Sequence, residues 1–212
     1  MLSLAEPWIA AVFPQTGAQL LQHDRAATAT AIFSSCGCYR WWLERRWDPA
    51  RPRLLFIGLN PSRADAERDD PTLRRLQAYA RAWGYGGLEV LNLFARISAS
   101  PAVLRRSADP VGPENDRWLE QRLRALQTGP AGGAIWLGWG NGGVWRGRDQ
   151  QVLALLASAA ASASVSRPPG CPWLALGLTA AGQPRHPLYV PGDARPLRLL
   201  HPGAMFSVAT PD

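Results

Sequence analysis

Four short apolar runs, separated by segments with helical periodicity, constrain the fold of this chain more than any other feature. The runs are Leu54–Ile57, Leu88–Phe94, Ala134–Trp139 and Trp173–Gly177. Each run has about the length of a buried strand, and strands that alternate with helices are typical of a parallel sheet covered on both faces. The sequence therefore predicts an α/β fold with three layers, α/β/α, and about four central parallel strands.

The segments between these runs carry helix signals. Asp70 is a favourable N-cap, Pro71 suits the first position of a helix, and Gly84 is expected to end that helix. Its large apolar residues share one face: Leu73, Leu76, Ala80 and Trp83. Two further helices are predicted, over Glu114–Gln127 and from Asp149 to about Ala163.

The residues before the first apolar run predict an antiparallel hairpin, formed by Ala29–Phe33 and Tyr39–Trp47 around a short turn. The second of these segments interleaves aromatic residues with arginines. That composition fits a ribbon that faces nucleic acid, through stacking and phosphate contacts. It also fits a hairpin that packs its tryptophans on the core and leaves its arginines outside.

Length and composition predict one domain over residues 1–212, with a core at about residues 30–190 and extensions at both ends. Ser158–Pro169 has low complexity and predicts a loop. We expect no signal peptide, because no basic segment precedes an apolar one near residue 1. The most apolar long stretch, Val152–Val165, is too short and too rich in serine to span a bilayer. We expect a cytoplasmic protein with no membrane association and no obligate protein partner.

Arginine supplies all of the basic side chains. The formal net charge is +7, from 23 Lys and Arg residues against 16 Asp and Glu residues, and the sequence contains no lysine. No side-chain amine is therefore present to form a Schiff base or to act as the lysine of a P-loop. Guanidinium groups pair with phosphate and stack on bases, so this excess favours a polyanionic partner.

The cysteines predict neither a disulfide framework nor a metal centre. Their number is odd, and they are Cys36, Cys38 and Cys171. The Cys36-x-Cys38 pair could supply two metal ligands, but a structural zinc or iron–sulfur site usually needs four. We expect no metal and no cofactor.

The first apolar run ends in a distinctive turn. Gly58 lets the backbone turn tightly or approach a ligand, and Pro61 fixes the turn that follows. Because Asn60 precedes that proline, its backbone is directed away from helical geometry. With Ser62, these residues predict an amide held rigidly at the carboxyl end of a strand, where ligands bind in open α/β sheets.

Polar residues also follow the other strands. Asn92 lies in an apolar strand, where an unpaired amide costs about 1–3 kcal/mol, so it either bonds to a neighbouring loop or reads a base edge. The glycines of Gly138–Gly143 would let backbone N–H groups approach an anion, but they match neither a dinucleotide fingerprint nor a Walker loop. His186 precedes Pro187 and is expected to project from an extended loop.

Four of these segments resemble the uracil-DNA glycosylase superfamily in type and in order. They are Gly58–Ser62, Leu91–Leu93, Leu137–Gly140 and His186–Leu188. The first is most similar to the mismatch-specific branch, which has Asn where the uracil-specific enzymes have Asp. The last lacks the Ser-Pro that follows His-Pro in that superfamily.

The chain resembles more closely an uncharacterised family of small bacterial and phage proteins, from about Phe33 to Val190. That resemblance rests on these segments: Tyr39-Arg40, Gly58–Ser62, Asp69–Thr72, Asn92–Phe94, Asp109–Gly112, Asn115-Asp116 and His186–Tyr189. It carries no function to transfer.

The glycosylase resemblance implies a hydrolytic, monofunctional N-glycosylase that removes a damaged or modified base, in DNA repair or phage defence. Asn60 would position the water, Asn92 would recognise the base, and His186 would stabilise the departing base. Asp70 is an alternative to Asn60 as the residue that activates the water, because a carboxylate is a better base than an amide.

The same resemblance implies a base-binding pocket that also contains Gly58, Pro61, Ser62 and Phe94. Contacts to nucleic acid, DNA in the first instance, or to a nucleotide are expected from these arginines: Arg40, Arg63, Arg96, Arg146 and Arg185. The alternative is a non-catalytic module that binds a nucleotide or a nucleic acid in the same pocket.

Overall fold

The computed structural model describes residues 20–23, 28–62, 64–65, 67–128, 132–161, 171–200 and 206–208. Within them, nine strands form one mixed sheet in the order β1-β2-β3-β5-β4-β6-β7-β8-β9. The strands are β1 Leu20–His23, β2 Thr28–Phe33, β3 Arg40–Arg46, β4 Arg53–Gly58, β5 Gly87–Asn92, β6 Gly133–Leu137, β7 Trp173–Ala175, β8 Leu197–Leu200 and β9 Ser207–Val208.

The four strands predicted from the apolar runs are β4, β5, β6 and β7, and they are parallel neighbours in the sheet, as expected. The chain passes from β4 to β5 on one side and then returns to β6 on the other side of β4. This reversal creates a crevice beyond the carboxyl end of β4, which is where open α/β sheets bind ligands. The register places Gly58, the last residue of β4, beside Asn92, the last residue of β5.

Four α-helices lie in the described residues: α1 Pro71–Ala82, α2 Pro101–Arg105, α3 Asn115–Thr128 and α4 Arg148–Ala161. Helix α1 begins as predicted, because Oδ1 of Asp70 accepts a hydrogen bond of 2.7 Å from the backbone N–H of Leu73. Helix α4 includes Ser158, where the sequence also indicated a loop, since the alanine-rich segment continues the helix. Residues 162–169 of that predicted loop lie outside the described residues.

Two buried clusters cover the faces of the sheet and confirm the three-layer prediction. Helix α1 packs on one face with Leu54, Phe56 and Trp136. Helices α3 and α4 pack on the other face, where Trp42 stacks on Trp118 with ring centroids 6.1 Å apart. None of the described helices has the length and apolar character needed to cross a membrane.

The predicted hairpin is present as β2 and β3, but its second strand does not face solvent. Strand β3 lies between β2 and β5, so both of its edges are paired, and its side chains are buried or half-buried on both faces of the sheet. Trp41 and Trp42 are each 2% exposed, while Arg40 and Arg45 are also buried. The interpretation of this segment as a ribbon facing nucleic acid is therefore wrong. The packing interpretation is correct for both tryptophans, but it placed these two arginines on the outside.

The cysteines lie in different parts of the fold. Cys36 and Cys38 lie on the turn between β2 and β3, where Cys36 is exposed, and Cys171 lies just before β7. Within the described part of the chain, no cluster of three or more His, Cys, Asp or Glu side chains could hold a metal ion.

Candidate functional site

A cavity of about 730 Å³ opens at the carboxyl ends of β4, β5 and β6 and extends along the sheet face covered by α1. Its volume lies in the range of small-molecule sites. Eight of the residues expected to form a site line it: Arg40, Gly58, Asn60, Ser62, Asp70, Asn92, Arg185 and His186. Residues far apart in the sequence are thus brought to one cleft.

Other predicted residues lie elsewhere. Phe94 is fully buried on the opposite face of the sheet, with its ring centroid 5.0 Å from that of Trp145. Arg96 lies over the ring of Tyr39 at 5.5 Å, and the exposed Arg146 lies over the ring of Trp145 at 4.8 Å. None of these side chains lines the cavity. The structure does not describe residue 63, the remaining arginine of the predicted set.

Asn60 is held by its own amide. Its Nδ2 donates to the carbonyl oxygens of Pro61 and Ser98, each at 3.0 Å. Both amide hydrogens are thereby used, and no described residue donates to its Oδ1. Pro61 does not line the cavity, but it helps to orient Asn60. The arrangement leaves an acceptor oxygen, held by backbone contacts, which can position a water or a polar ligand.

Asn92 presents the opposite chemistry. The residue is 4% exposed, and its buried Nδ2 has no hydrogen-bond partner among the described residues. The structural alternative, in which this amide nitrogen bonds to a neighbouring loop, is therefore not realised. Gly58 leaves the necessary space, because a Cβ there would lie 3.0 Å from Oδ1 of Asn92. A buried donor at the wall of a cavity is suited to a ligand that supplies an acceptor.

His186 is a neutral donor at pH 7. Its Nδ1 accepts a hydrogen bond of 3.4 Å from the backbone N–H of Leu188, which places the ring proton on Nε2. Burial lowers the pKa of His186 below its usual value of 6.5, and the nearby Asp70 only partly opposes this shift. The loop is anchored to α1, since Nε of Arg75 donates to the carbonyl oxygen of Pro187 at 3.1 Å.

Asp70 caps α1, as the sequence predicted, and its carboxylate also lies at the cavity. One carboxylate oxygen caps α1, while the other accepts a hydrogen bond from the hydroxyl of Ser62. Both Asp70 and Ser62 also line the cavity. The N-cap interaction therefore fixes a carboxylate at the site without removing it from the cavity.

Arg40 forms part of the cavity wall and is 4% exposed. Its Nη1 donates to the carbonyl oxygen of Ala64 at 2.6 Å, whereas its buried Nε has no partner among the described residues. Burial lowers the pKa of Arg40 to about 10, with Asp70 favouring the charged form. The guanidinium is therefore still a cation at neutral pH.

The sequence interpretation missed a polar pair on the far side of the cavity. Asn141 and Thr179 line it, and the Thr179 hydroxyl donates to Oδ1 of Asn141 at 2.6 Å. Asn141 follows β6 closely and Thr179 follows β7, so their positions after strands were a usable signal. Arg105, from the short helix α2, also lines the cavity and carried no such signal.

The site therefore combines a fixed acceptor, two donors, a buried cation and a carboxylate: Asn60, Asn92, His186, Arg40 and Asp70. Its walls include apolar side chains, among them Leu43, Phe56, Leu76 and Val90. Such a cavity can enclose a flat polar ring, bind its edge and hold a water beside it.

Neither the curated proteins nor the solved structures contain a significant match to this chain. Residues 40–188 match the model of a family described as "Protein of unknown function (DUF1643)". That range runs from Arg40 in β3 to Leu188 beside His186, and it includes the central sheet and most of the cavity. Because the match extends over more than half of the chain, the protein belongs to this family.

Proposed function

We propose that this protein is a hydrolytic, monofunctional N-glycosylase, similar in chemistry to the uracil-DNA glycosylase superfamily, which removes a damaged or modified base from nucleic acid. The observation that carries the proposal is the convergence of Asn60, Asn92 and His186 on one cavity. Asn60 lies in the turn after β4, Asn92 is the last residue of β5, and His186 lies in the loop after β7. The proposed reaction assigns a different role to each of them.

In the proposed reaction, Oδ1 of Asn60 orients a water toward C1′ of the sugar. The oxygen of the water bonds to C1′ as the bond from C1′ to the base nitrogen breaks, and the base takes the electron pair. One proton of the water is finally transferred to the departing base. Nε2–H of His186 donates a hydrogen bond to that base and so stabilises its developing negative charge.

Asp70 is proposed to act beside Asn60. Positive charge develops on the sugar in an oxocarbenium-like transition state, and a fixed carboxylate favours it electrostatically. The same carboxylate can accept the proton of the attacking water. Its hydrogen bonds to Leu73 and Ser62 keep it in place for either role.

The reaction is proposed to stop at base release. A coupled strand cleavage through a side-chain amine needs a lysine, and the chain contains none. The expected product is thus an abasic site in an intact strand.

The test is incubation of the protein with single-stranded and duplex oligonucleotides that carry uracil, a mismatch or a phage-type modified base. Alkali then cleaves any abasic site, and the fragments are resolved on a gel. We expect fragments from at least one substrate, lost in Asn60→Ala and kept in Arg124→Gln, whose exposed side chain lies on α3. No base release from any substrate, with all proteins folded, would contradict the proposal.

A non-catalytic binding module is the second candidate. The unpartnered Nδ2 of Asn92 and the buried Arg40 favour it, because both groups serve recognition whether or not hydrolysis follows. Ligand binding without base release would identify this alternative.

A further inference from the structure

Arg40 differs from the other buried arginines of the described residues. Each of those forms an ion pair with a carboxylate: Arg45 with Asp69, Arg122 with Glu89, and Arg148 with Asp116. Arg40 forms none with any described residue, although Asp70 and Asp65 favour its charge from a longer distance. A buried charge without a partner is costly. We therefore expect a bound ligand to supply the acceptor that Arg40 lacks in the protein.

The hydrogen bonding of Arg40 leaves one defined edge of its guanidinium without a partner among the described residues. The bond to the carbonyl oxygen of Ala64 uses Nη1. No described residue accepts from Nε or from Nη2, and Nε is fully buried. The hydrogens of Nε and Nη2 lie parallel on the same side of the planar group. Such an edge matches two adjacent acceptors in one plane.

The cavity around Arg40 favours a heterocycle over a phosphate. Leu43, Phe56 and Val90 line the same cavity, and these apolar side chains would leave a phosphate poorly solvated. Asp70 also lines the cavity, and its carboxylate would repel an anion. A flat base can instead lie against the apolar walls and direct its polar edge to Arg40.

Among the common bases, guanine presents two adjacent acceptors, N7 and O6, on one edge. Adenine has a donor amino group in place of O6, cytosine has a donor at N4, and thymine has one acceptor beside a methyl group. We propose that Arg40 recognises the O6/N7 edge of a 6-oxopurine, with Nδ2 of Asn92 as a further donor. Recognition of this base does not depend on the proposed function. The further statement that the base is also a substrate rests on that function.

The test is isothermal titration calorimetry of the whole protein with nucleosides, which requires no turnover. Guanosine and inosine both keep O6 and N7, so both should bind. Adenosine lacks the O6 acceptor and 7-deazaguanosine lacks N7, so both should bind more weakly. A matched bidentate contact discriminates by about 5- to 150-fold, and we expect the preference for guanosine over adenosine in that range. Equal binding of guanosine and 7-deazaguanosine would overturn the proposal.

Variants of Arg40 provide a second measurement. Arg40→Lys keeps the positive charge but has no parallel pair of donors, so it should lose the preference for guanosine over adenosine. Arg40→Gln should lose it as well, whereas Arg124→Gln should keep it. An Arg40→Lys protein that is folded and still prefers guanosine would contradict the assignment. If a variant fails to fold, the 7-deazaguanosine comparison on the unmodified protein decides.

Inorganic phosphate tests the other chemistry that an arginine could serve. Phosphate binding that depends on Arg40, together with no binding of any nucleoside, would assign Arg40 to an anion and overturn the proposal. Guanosine binding, together with no base release from any oligonucleotide, would instead support recognition by Arg40 and contradict the proposed glycosylase activity. Base release that does not depend on O6 or N7 of the base would support the glycosylase activity and contradict recognition by Arg40.

Discussion

Asn60 and Ser98 are joined by a hydrogen bond of 3.0 Å, from Nδ2 of Asn60 to the carbonyl oxygen of Ser98. Ser98 returns a bond from its own backbone N–H to the carbonyl oxygen of Pro61 at 3.2 Å. These bonds fasten the turn after β4 to the loop after β5. Because Nδ2 of Asn60 is used in hydrogen bonds to the backbone, the acceptor Oδ1 is the end of the amide that remains for a ligand or a water.

Asn60→Ala should reduce base release at least about 100-fold and leave ligand affinity nearly unchanged, since the lost group acts mainly in the transition state. Two lost hydrogen bonds should lower the free energy of unfolding by about 1–3 kcal/mol. Single-turnover kinetics, calorimetric binding and urea denaturation measure the three quantities. Wild-type turnover on a verified substrate would make Asn60 a turn residue and direct attention to Asp70.

Asn92→Leu should separate stability from function. Removal of a buried donor that has no partner relieves a cost of about 1–3 kcal/mol, so the variant should be at least as stable as the wild type. Its base selectivity should be lost, because the amide can no longer contact the base edge. Urea denaturation and nucleoside titration check the two expectations. A marked loss of stability would mean that the amide has a structural role.

His186 should titrate below pH 6.5, because burial lowers its pKa. Protonation therefore disfavours the folded state: the stability that depends on neutral His186 is present above about pH 6.5 and declines as the pH falls toward the folded pKa. The chain has three histidines, so NMR titration with His186→Gln for assignment can measure it. His186→Ala should slow the release of poor leaving groups most. A pKa above 6.5 would contradict the neutral-donor role.

The buried cluster around Glu89 should dominate acid unfolding. Although burial opposes its charge, Arg122 and Arg53 together lower the pKa of Glu89. The resulting stabilisation is present above the ordinary pKa of about 4.5 and is lost as the pH falls through the lower, folded value. Glu89→Gln should cost about 3–5 kcal/mol at pH 7, because it removes the buried carboxylate with which Arg122 and Arg53 pair.

Urea denaturation at pH 7 tests the expectation for Glu89. Asp48→Asn is the matched control, since Asp48 pairs with Arg51 at the surface and should change the free energy of unfolding by less than about 1 kcal/mol. A similar effect of the two substitutions would refute the importance of the buried cluster.

Nucleic-acid affinity should fall with salt, but with a modest slope. Arg40 and Arg45 are internal, so we expect no contacts from them to a nucleic-acid backbone, whereas Arg105 and Arg185 are exposed where they line the cavity. Arg185→Gln should reduce the slope of log affinity against log salt by about 1, and Arg124→Gln should not change it. Fluorescence anisotropy at several salt concentrations measures this slope. An affinity that is independent of salt would exclude phosphate contacts by Arg185.

Much of the fold could be predicted because its causes are local. The length and composition of the apolar runs indicated β4 to β7, and Asp70 followed by Pro71 indicated the start of α1. The strand-end positions of Asn60 and Asn92 followed from the same pattern, since parallel strands direct their carboxyl ends to one edge. The position of Phe94 could not be predicted in this way. The face to which a side chain turns after a strand depends on the path of the following loop.

Arg40 shows most clearly what only the tertiary structure decided. An arginine beside two tryptophans has the same local pattern on a surface ribbon as in an interior strand. Arg40 is buried, and its Nη1 bonds to the carbonyl oxygen of Ala64, 24 residues away, so its burial depends on contacts between segments far apart in the chain. The amide orientation of Asn60 likewise depends on a carbonyl 38 residues away. The sequence by itself determined which segments become strands and where polar residues end them, whereas long-range packing decided which polar groups face the cavity and which of them remain without a partner.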